Sequence, residues 1–453
     1  MGTLSPVRPQ VGAASHLPFA GAHGHVPGAL LHTTCAVVLA DEPGSPSMPL
    51  TDGHAKPALP FAGTLRLIDF ALSNCLNSGI RRISVLTQGT AHSLITHVER
   101  GWGFLEPSHN EFINVFPTPQ HLGDGGHRGT AATVFQNLAT LREADPEHVL
   151  VLAGDHVYKM DYGVMLAEHI ERGADITIAA IDVPLAQAST YDVLAVNAQD
   201  RVVAMHPKPL HPPCIPGQPQ RALASMGIYI FKASFLYQAL AHDAADPHST
   251  HDLAHDLIPR ALALARAGAQ AQVNAHRFAR SCVDMQGGQP CWHDMATLDA
   301  YWEAHMDLIE VQPQINLYDD DWPVLSLRRQ LEPARFVANH NGHRGMAIDS
   351  VVSSGCIVSG ATVRRSLLSF KVRVEQNSRV EECVVLPDVR IGRGVTLRRC
   401  VVDQGCELPD GFSAGLDAAQ DALRFHVTER GITLITADML GQAQPCSDGA
   451  PLQ

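Results

Sequence analysis

The chain lacks several features that would each settle a class of function. No run of 18 apolar residues occurs, so no membrane-spanning helix is expected. The ten cysteines are scattered with no CxxC pair, which argues for free thiols in a reducing compartment and against a zinc site. None of the 25 histidines falls in an HExxH spacing. Lys and Arg together number 33 against 46 Asp and Glu, a net charge of -13, which speaks against a basic face for nucleic acid. The first 30 residues carry only Arg8 as a strong charge and no apolar h-region, so they read as a tail rather than a signal peptide.

What is present is a globular composition: 453 residues, 45% hydrophobic and 17% charged, enough for two or three domains with their own cores. Up to about residue 310, strand-like and helix-like segments alternate. "TCAVVLA", "RRISVLTQ", "HVLVLAGD" and "DITIAAIDV" read as strands; "LRLIDFALSNCLNSG", closing on Gly79, "AHSLITHVERGW", "TAATVFQNLATLREA" and "YGVMLAEHIERGA" read as helices. Such alternation predicts a mostly parallel, Rossmann-like sheet covered on both faces, with ligands at the carboxyl ends of strands. Gln88, Asp155 and the loop after Leu39 fall at those ends.

A second periodicity begins at Val352. Aliphatics follow at Ile357, Val363, Leu368, Val374, Val380, Val385, Ile391, Leu397, Val402 and Leu408, in steps of 5, 6, 5, 6, 6, 5, 6, 6, 5 and 6. Neither a helix nor a flat strand produces that spacing; a three-faced solenoid with one inward aliphatic per face does. The expected division is a tail at 1–30, an α/β domain at 31–310, a connector at 311–346, a β-helix domain at 347–440 and a tail at 441–453.

The stretches "LRLIDFALSNCLNSGIRRISVLTQ", "VLAGDHVYKMDYGVML", "ASMGIYIF", "LDAYWEAHMDL", "LPDVRIGRGVTLRRCVVD" and "DALRFHVTERGITLIT" are similar, in order, to those of the ADP-glucose pyrophosphorylase (glucose-1-phosphate adenylyltransferase) family. The resemblance implies a nucleotidyltransferase α/β domain followed by a left-handed parallel β-helix, and a cytoplasmic, usually tetrameric enzyme of glycogen or α-glucan synthesis. The implied reaction is ATP plus glucose 1-phosphate giving ADP-glucose and pyrophosphate. Neither nucleic acid nor membrane is an expected partner. In-line nucleotidyl transfer depends on positioning and charge neutralisation, with Mg²⁺ held by carboxylates. By resemblance, Asp155 and Asp294 are the metal carboxylates, and Asp155 and Lys208 the catalytic pair. Lys208, Ser225, Gly227 and His127 border the sugar phosphate. Lys56, Gln88, Gly129, Thr130 and Gly44 belong to the nucleotide side, and Arg66 and Arg424 to an effector site.

The chain departs from that family where phosphate is gripped. The family's Gly-Gly-x-Gly-x-Arg-Leu loop corresponds here to a stretch with Asp41, Glu42, Pro43, Gly44, Pro46 and Ser47, and no Lys or Arg stands between Leu39 and His54. Glycines allow backbone N–H groups to approach phosphate, and proline has no N–H to give. Around the sugar, His127 replaces a tyrosine, Ala132 an aspartate, Asp192 a glycine and Pro207 a glutamate. Only Arg424 remains of a basic cluster in "DALRFHVT", which argues against activation by a sugar bisphosphate. Two readings follow: an active adenylyltransferase, or an impaired homologue that modulates an active one by mixed assembly or senses a ligand. Loop composition favours the second. A β-helix acyltransferase fails for want of a catalytic histidine and because the first domain is too large.

Overall fold

In the computed structural model, residues 28–40, 48–51, 55–88, 91–105, 107–118, 129–267, 271–283, 289–338 and 342–442 are described. Gly44, His127 and the altered loop at 41–47 lie outside them, as do most of the two expected tails.

β1 (Thr34–Ala40) is buried at every position, as the apolar run from Cys35 to Ala40 requires of a strand covered on both faces. It pairs in parallel with β2 (Arg82–Gln88) and with β4 (His148–Ala153), so that Val38 lies beside both Val85 and Leu152. β3 (Phe112–Thr118) extends this parallel core beyond β2. The two faces of β1 serve two cores. Ala36, Val38 and Ala40 join Ile68 and Leu72 of helix α1 (Ile68–Asn77), whereas Val37 and Leu39 join Val134 of α2 (Thr130–Gln136).

β5 (His156–Tyr158) leaves the main sheet, and β6 (Ile176–Pro184) rejoins it. After β7 (Val193–Val196) and β8 (Val202–His206), which pair antiparallel, the long β9 (Arg221–Lys232) runs antiparallel to β4, β6 and β7. β10 (Val273–Arg277) is parallel to β6. The core is therefore parallel as expected, but β9 reverses the local direction. The tight turn at Asn197–Arg201 accounts for the antiparallel β7–β8 pair, with Asp200 at φ 59°.

"TAATVFQNLATLREA" does not form one helix. It breaks at Asn137, whose side-chain amide donates to Thr133 O at 3.0 Å, and resumes at Leu138–Glu143. Asparagine competes for helix carbonyls in this way.

The second region is a parallel β-helix of three sheets. One stacks 335–337, 357–359, 373–374, 390–391 and 407–408; a second stacks 346–348, 362–364, 379–381, 396–398 and 413–414; a third runs from 351–352 through 367–368, 384–385 and 400–402 to 433–435. Val374 sits beside Ile391, and Ile391 beside Leu408. Nine of the eleven aliphatics of the repeat line the helix interior and Val352 packs against it. The remaining one is corrected: Val358, at 0% exposure, points inward and Ile357 does not. Two adjacent apolar residues satisfy the spacing equally well, and only pairing chooses between them. The first strand, Arg335–Val337, lies inside the stretch expected to be connector, where it pairs with Ile357–Ser359.

The β-helix packs onto the α/β region through a shared core in which Phe61 and Tyr301 meet Val384, Val401 and Leu434. The connector is held by buried polar contacts. Lys159 Nζ donates to Asp319 Oδ2 at 2.9 Å, and Trp322 Nε1 donates to Asn74 Oδ1 at 2.9 Å. Among the described residues no helix is long and apolar enough to cross a membrane, and no two of the nine described cysteines form a disulfide.

Candidate active site

The carboxyl end of β4 organises the site. Gly154 N donates to Leu39 O at 3.0 Å, which brings the ends of β1 and β4 together. Lys56 opens a short turn (Lys56–Ala58) closed by Leu59 N donating to Lys56 O at 3.0 Å, with Pro57 restricting its backbone. Asp155 follows Gly154 and leads into β5. β5 pairs antiparallel with β11 (Trp292–Asp294), in a register that sets Trp292 against Tyr158 and Asp294 against His156. Strand pairing therefore carries Asp294 to Asp155 across a long separation in sequence.

The Lys56 ammonium is ion-paired to Asp155 Oδ2 and stands 3.8 Å from Asp294 Oδ1. His156 Nε2 lies 3.7 Å from Asp155 Oδ1 and 3.9 Å from Asp294 Oδ1. Burial pushes the Asp155 carboxyl up, but the charges of His156 and Lys56 and the lysine hydrogen bond outweigh it, and its pKa falls below the ordinary 3.8. Asp155, His156 and Asp294 each offer a donor atom within 4.8 Å of the others, an arrangement able to hold a metal ion. Two carboxylates suit a hard divalent cation such as Mg²⁺, and Asp294, 29% exposed at its side chain, leaves a side open to phosphate oxygens and water. His156 and Trp292 meet edge to face at 5.1 Å, and Tyr191 continues that wall 5.7 Å from Trp292.

Gly227 adjoins this cluster, and Ser225 Oγ accepts from Gly227 N at 3.5 Å. Ser225 N donates to Asp192 O at 2.8 Å beside an irregularity in the β9 pairing. Gly227 has φ 68°, where a side chain is strained, and a Cβ there would lie 3.5 Å from His156 Cε1. Lys208 is exposed in the turn after β8, also with positive φ. Gln88 closes β2 opposite Thr118.

Gly129 and Thr130 have other work in the fold. Thr130 Oγ1 donates to Asp252 Oδ2 and accepts from Leu253 N, both at 2.9 Å. Ala131 N and Ala132 N both donate to His251 O, at 2.8 and 3.2 Å. A Cβ on Gly129 would sit 2.3 Å from that carbonyl. The first amides of α2 are thus taken up by the chain itself. Arg66 and Arg424 have separate surroundings. Arg66 donates to Ser93 O and Oγ at 3.0 and 2.8 Å, and burial, with Arg329 nearby, pushes it down to about 10 against the pull of Asp69. Arg424 lies over Phe412 and Phe425 at 5.3 and 4.7 Å.

His156 and Trp292 were not among the residues expected from the sequence. Both sit beside an expected aspartate, in "GDHVY" and "WHDM", but only the pairing of those two short strands shows that they share its site.

Comparison with known proteins places this geometry in a class. Residues 35–311 match the nucleotidyl transferase family, and residues 332–435 match the GlmU-like C-terminal hexapeptide family. Among curated relatives, the glucose-1-phosphate adenylyltransferase of Methylobacillus flagellatus is 52% identical, over 91% of this chain and 95% of its own. That of Paramagnetospirillum magneticum is 53% identical over 90% and 95%, and that of Dechloromonas aromatica 50% over 91% and 93%. The chain belongs to the glucose-1-phosphate adenylyltransferase family.

Proposed function

We propose that the chain transfers an adenylyl group from ATP to glucose 1-phosphate, forming ADP-glucose and releasing pyrophosphate. The observation that carries this is the convergence of Lys56, Asp155 and Asp294 at the end of the parallel core. The relatives that span nearly the whole chain carry that enzyme's name. In this reading Asp155 and Asp294 hold Mg²⁺, which neutralises charge on the phosphates. Lys56 faces the nucleotide phosphates. Lys208 holds the sugar phosphate for in-line attack, with Ser225 and Gly227 at the sugar rim. Gln88, Gly129 and Thr130 border the base; for the last two the support is the family resemblance, since Thr130 is engaged with Asp252. Residues 31–310 carry the chemistry, and the β-helix supplies a face for assembly into a cytoplasmic oligomer.

The reading as an impaired regulatory subunit rests on the altered loop and on the replaced sugar-side residues His127, Ala132, Asp192 and Pro207, and the comparisons lend it nothing. One experiment separates the two. Pyrophosphate release from ATP and glucose 1-phosphate with Mg²⁺ is measured on pure protein and on Asp155→Asn. Turnover on the order of 1–10 s⁻¹ that is lost in the variant is the expected result. No release above the variant would overturn catalysis and return the regulatory reading.

A further inference from the structure

Two carboxylates and one ammonium share the Asp155 site, and their oxygens are divided. Lys56 takes Asp155 Oδ2 and approaches Asp294 Oδ1, while Asp155 Oδ1 and the same Asp294 Oδ1 border His156 Nε2. One positive charge therefore already serves the acids where a divalent cation would be held. It is delivered from a buried position, the Lys56 side chain being 8% exposed, on a turn that Pro57 restrains. A bare cation entering between Asp155 and Asp294 meets that ammonium within a few ångströms, and like charges at such range in a partly desolvated site repel strongly. A metal–nucleotide complex differs in one respect: it brings phosphate oxygens, which offer the ammonium a second anion.

We infer that Lys56 is the resident counter-ion of the carboxylate site, holding Asp155 and Asp294 against a free divalent cation and passing to phosphate when metal and nucleotide arrive together. The inference rests on the proposed assignment of the two acids to metal. It makes metal loading depend on the nucleotide, so that the protein without nucleotide binds the cation weakly. Removing the ammonium leaves the two acids with only His156 beside them and opens the site to the bare ion.

The test uses Mn²⁺ as the probe and the full chain. Free Mn²⁺ is followed by electron paramagnetic resonance in titrations of wild type, Lys56→Met, Asp155→Asn and the double variant. Each is run with and without a non-hydrolysable ATP analogue, and circular dichroism checks that each protein is folded. Without nucleotide, Lys56→Met is expected to bind Mn²⁺ at least about tenfold more tightly than wild type, and the double variant to lose that gain. Wild type is expected to tighten on Mn²⁺ when the analogue is added. Two results overturn the counter-ion role and leave the site standing. One is equal or weaker binding by Lys56→Met while Asp155→Asn still weakens binding. The other, which needs no variant, is wild-type affinity unchanged by the analogue while Asp155→Asn still weakens it. Mn²⁺ binding indifferent to Asp155→Asn in every protein would instead remove the metal assignment, and the inference with it.

Discussion

Asp294 stands directly across from His156 in the antiparallel β5–β11 pair, one residue beyond Asp155. A cross-strand neighbour is the closest contact that sheet geometry offers between distant segments, and it aims Asp294 at the end of the parallel core. Asp294→Asn keeps the shape of that neighbour and removes its charge. In the proposed role of Asp294 as a metal carboxylate, loss of its charge withdraws several kcal/mol of transition-state stabilisation. Pyrophosphate release is therefore expected to fall by roughly 10²–10³, with the thermal midpoint nearly unchanged. A midpoint drop with activity retained would make Asp294 a structural residue.

The Lys159–Asp319 ion pair ties the connector to the end of β5 and is asymmetric in burial. The Lys159 side chain is 0% exposed and that of Asp319 is 22% exposed. Removing one member of a buried pair is costly because the other charge is left behind. Asp319→Asn strands the fully buried ammonium and is expected to cost about 3 kcal/mol. Lys159→Met strands a carboxylate that water and the Asp321 and Trp322 amides still reach, and is expected to cost less. Chemical denaturation of the two variants checks the order.

His305 sets a pH dependence. It is fully buried between Phe61 and Tyr301, each 4.4 Å from its ring, accepts from Ala62 N at 3.2 Å and donates to Tyr301 O at 2.7 Å. Both nitrogens are satisfied by the neutral ring, and burial pushes its pKa down from 6.5 to about 4. The unfolded chain therefore binds this proton more readily than the folded one. Stability from His305 is complete above about pH 6.5 and is lost as pH falls toward 4, on the order of 2 kcal/mol by pH 5. His169, pushed by burial to about 3, acts in the same direction. Unfolding at pH 7.5 and pH 5 is expected to show the loss, reduced by about that amount in His305→Met.

The β-helix register is open to a direct check. Val358→Ala removes two buried methyl groups and is expected to cost about 2 kcal/mol. Ile357→Ala, although a larger deletion, is expected to cost less because Ile357 is not in the interior. The reverse order in denaturation would place Ile357 inside.

Much of the architecture was legible because it is local. "TCAVVLA" is apolar from Cys35 to Ala40, so it reads as a strand buried on both faces, and its two alternating sets face two cores. The five-and-six spacing from Val352 to Leu408 announced a three-faced solenoid because each face must bury one side chain. Where two neighbours were equally apolar, at Ile357 and Val358, spacing could not choose. The break at Asn137 and the reversed β9 were hidden for a similar reason. Apolar periodicity reports which faces are buried, not chain direction or a side chain's competition for a carbonyl.

By its sequence alone the protein determined its two architectures, the position of Asp155 at a strand end and the absence of basic residues from the loop after β1, since each depends on residues close together in the chain. Asp155 and Asp294 were paired by resemblance; only the tertiary structure decided that Lys56 and His156 join them in one site, and that Thr130 is committed to Asp252. The first of these depends on a pairing register between two three-residue strands, β5 and β11, and the second on a side chain meeting its partner from a distant helix. Neither leaves a period in the sequence, because each is a contact made once.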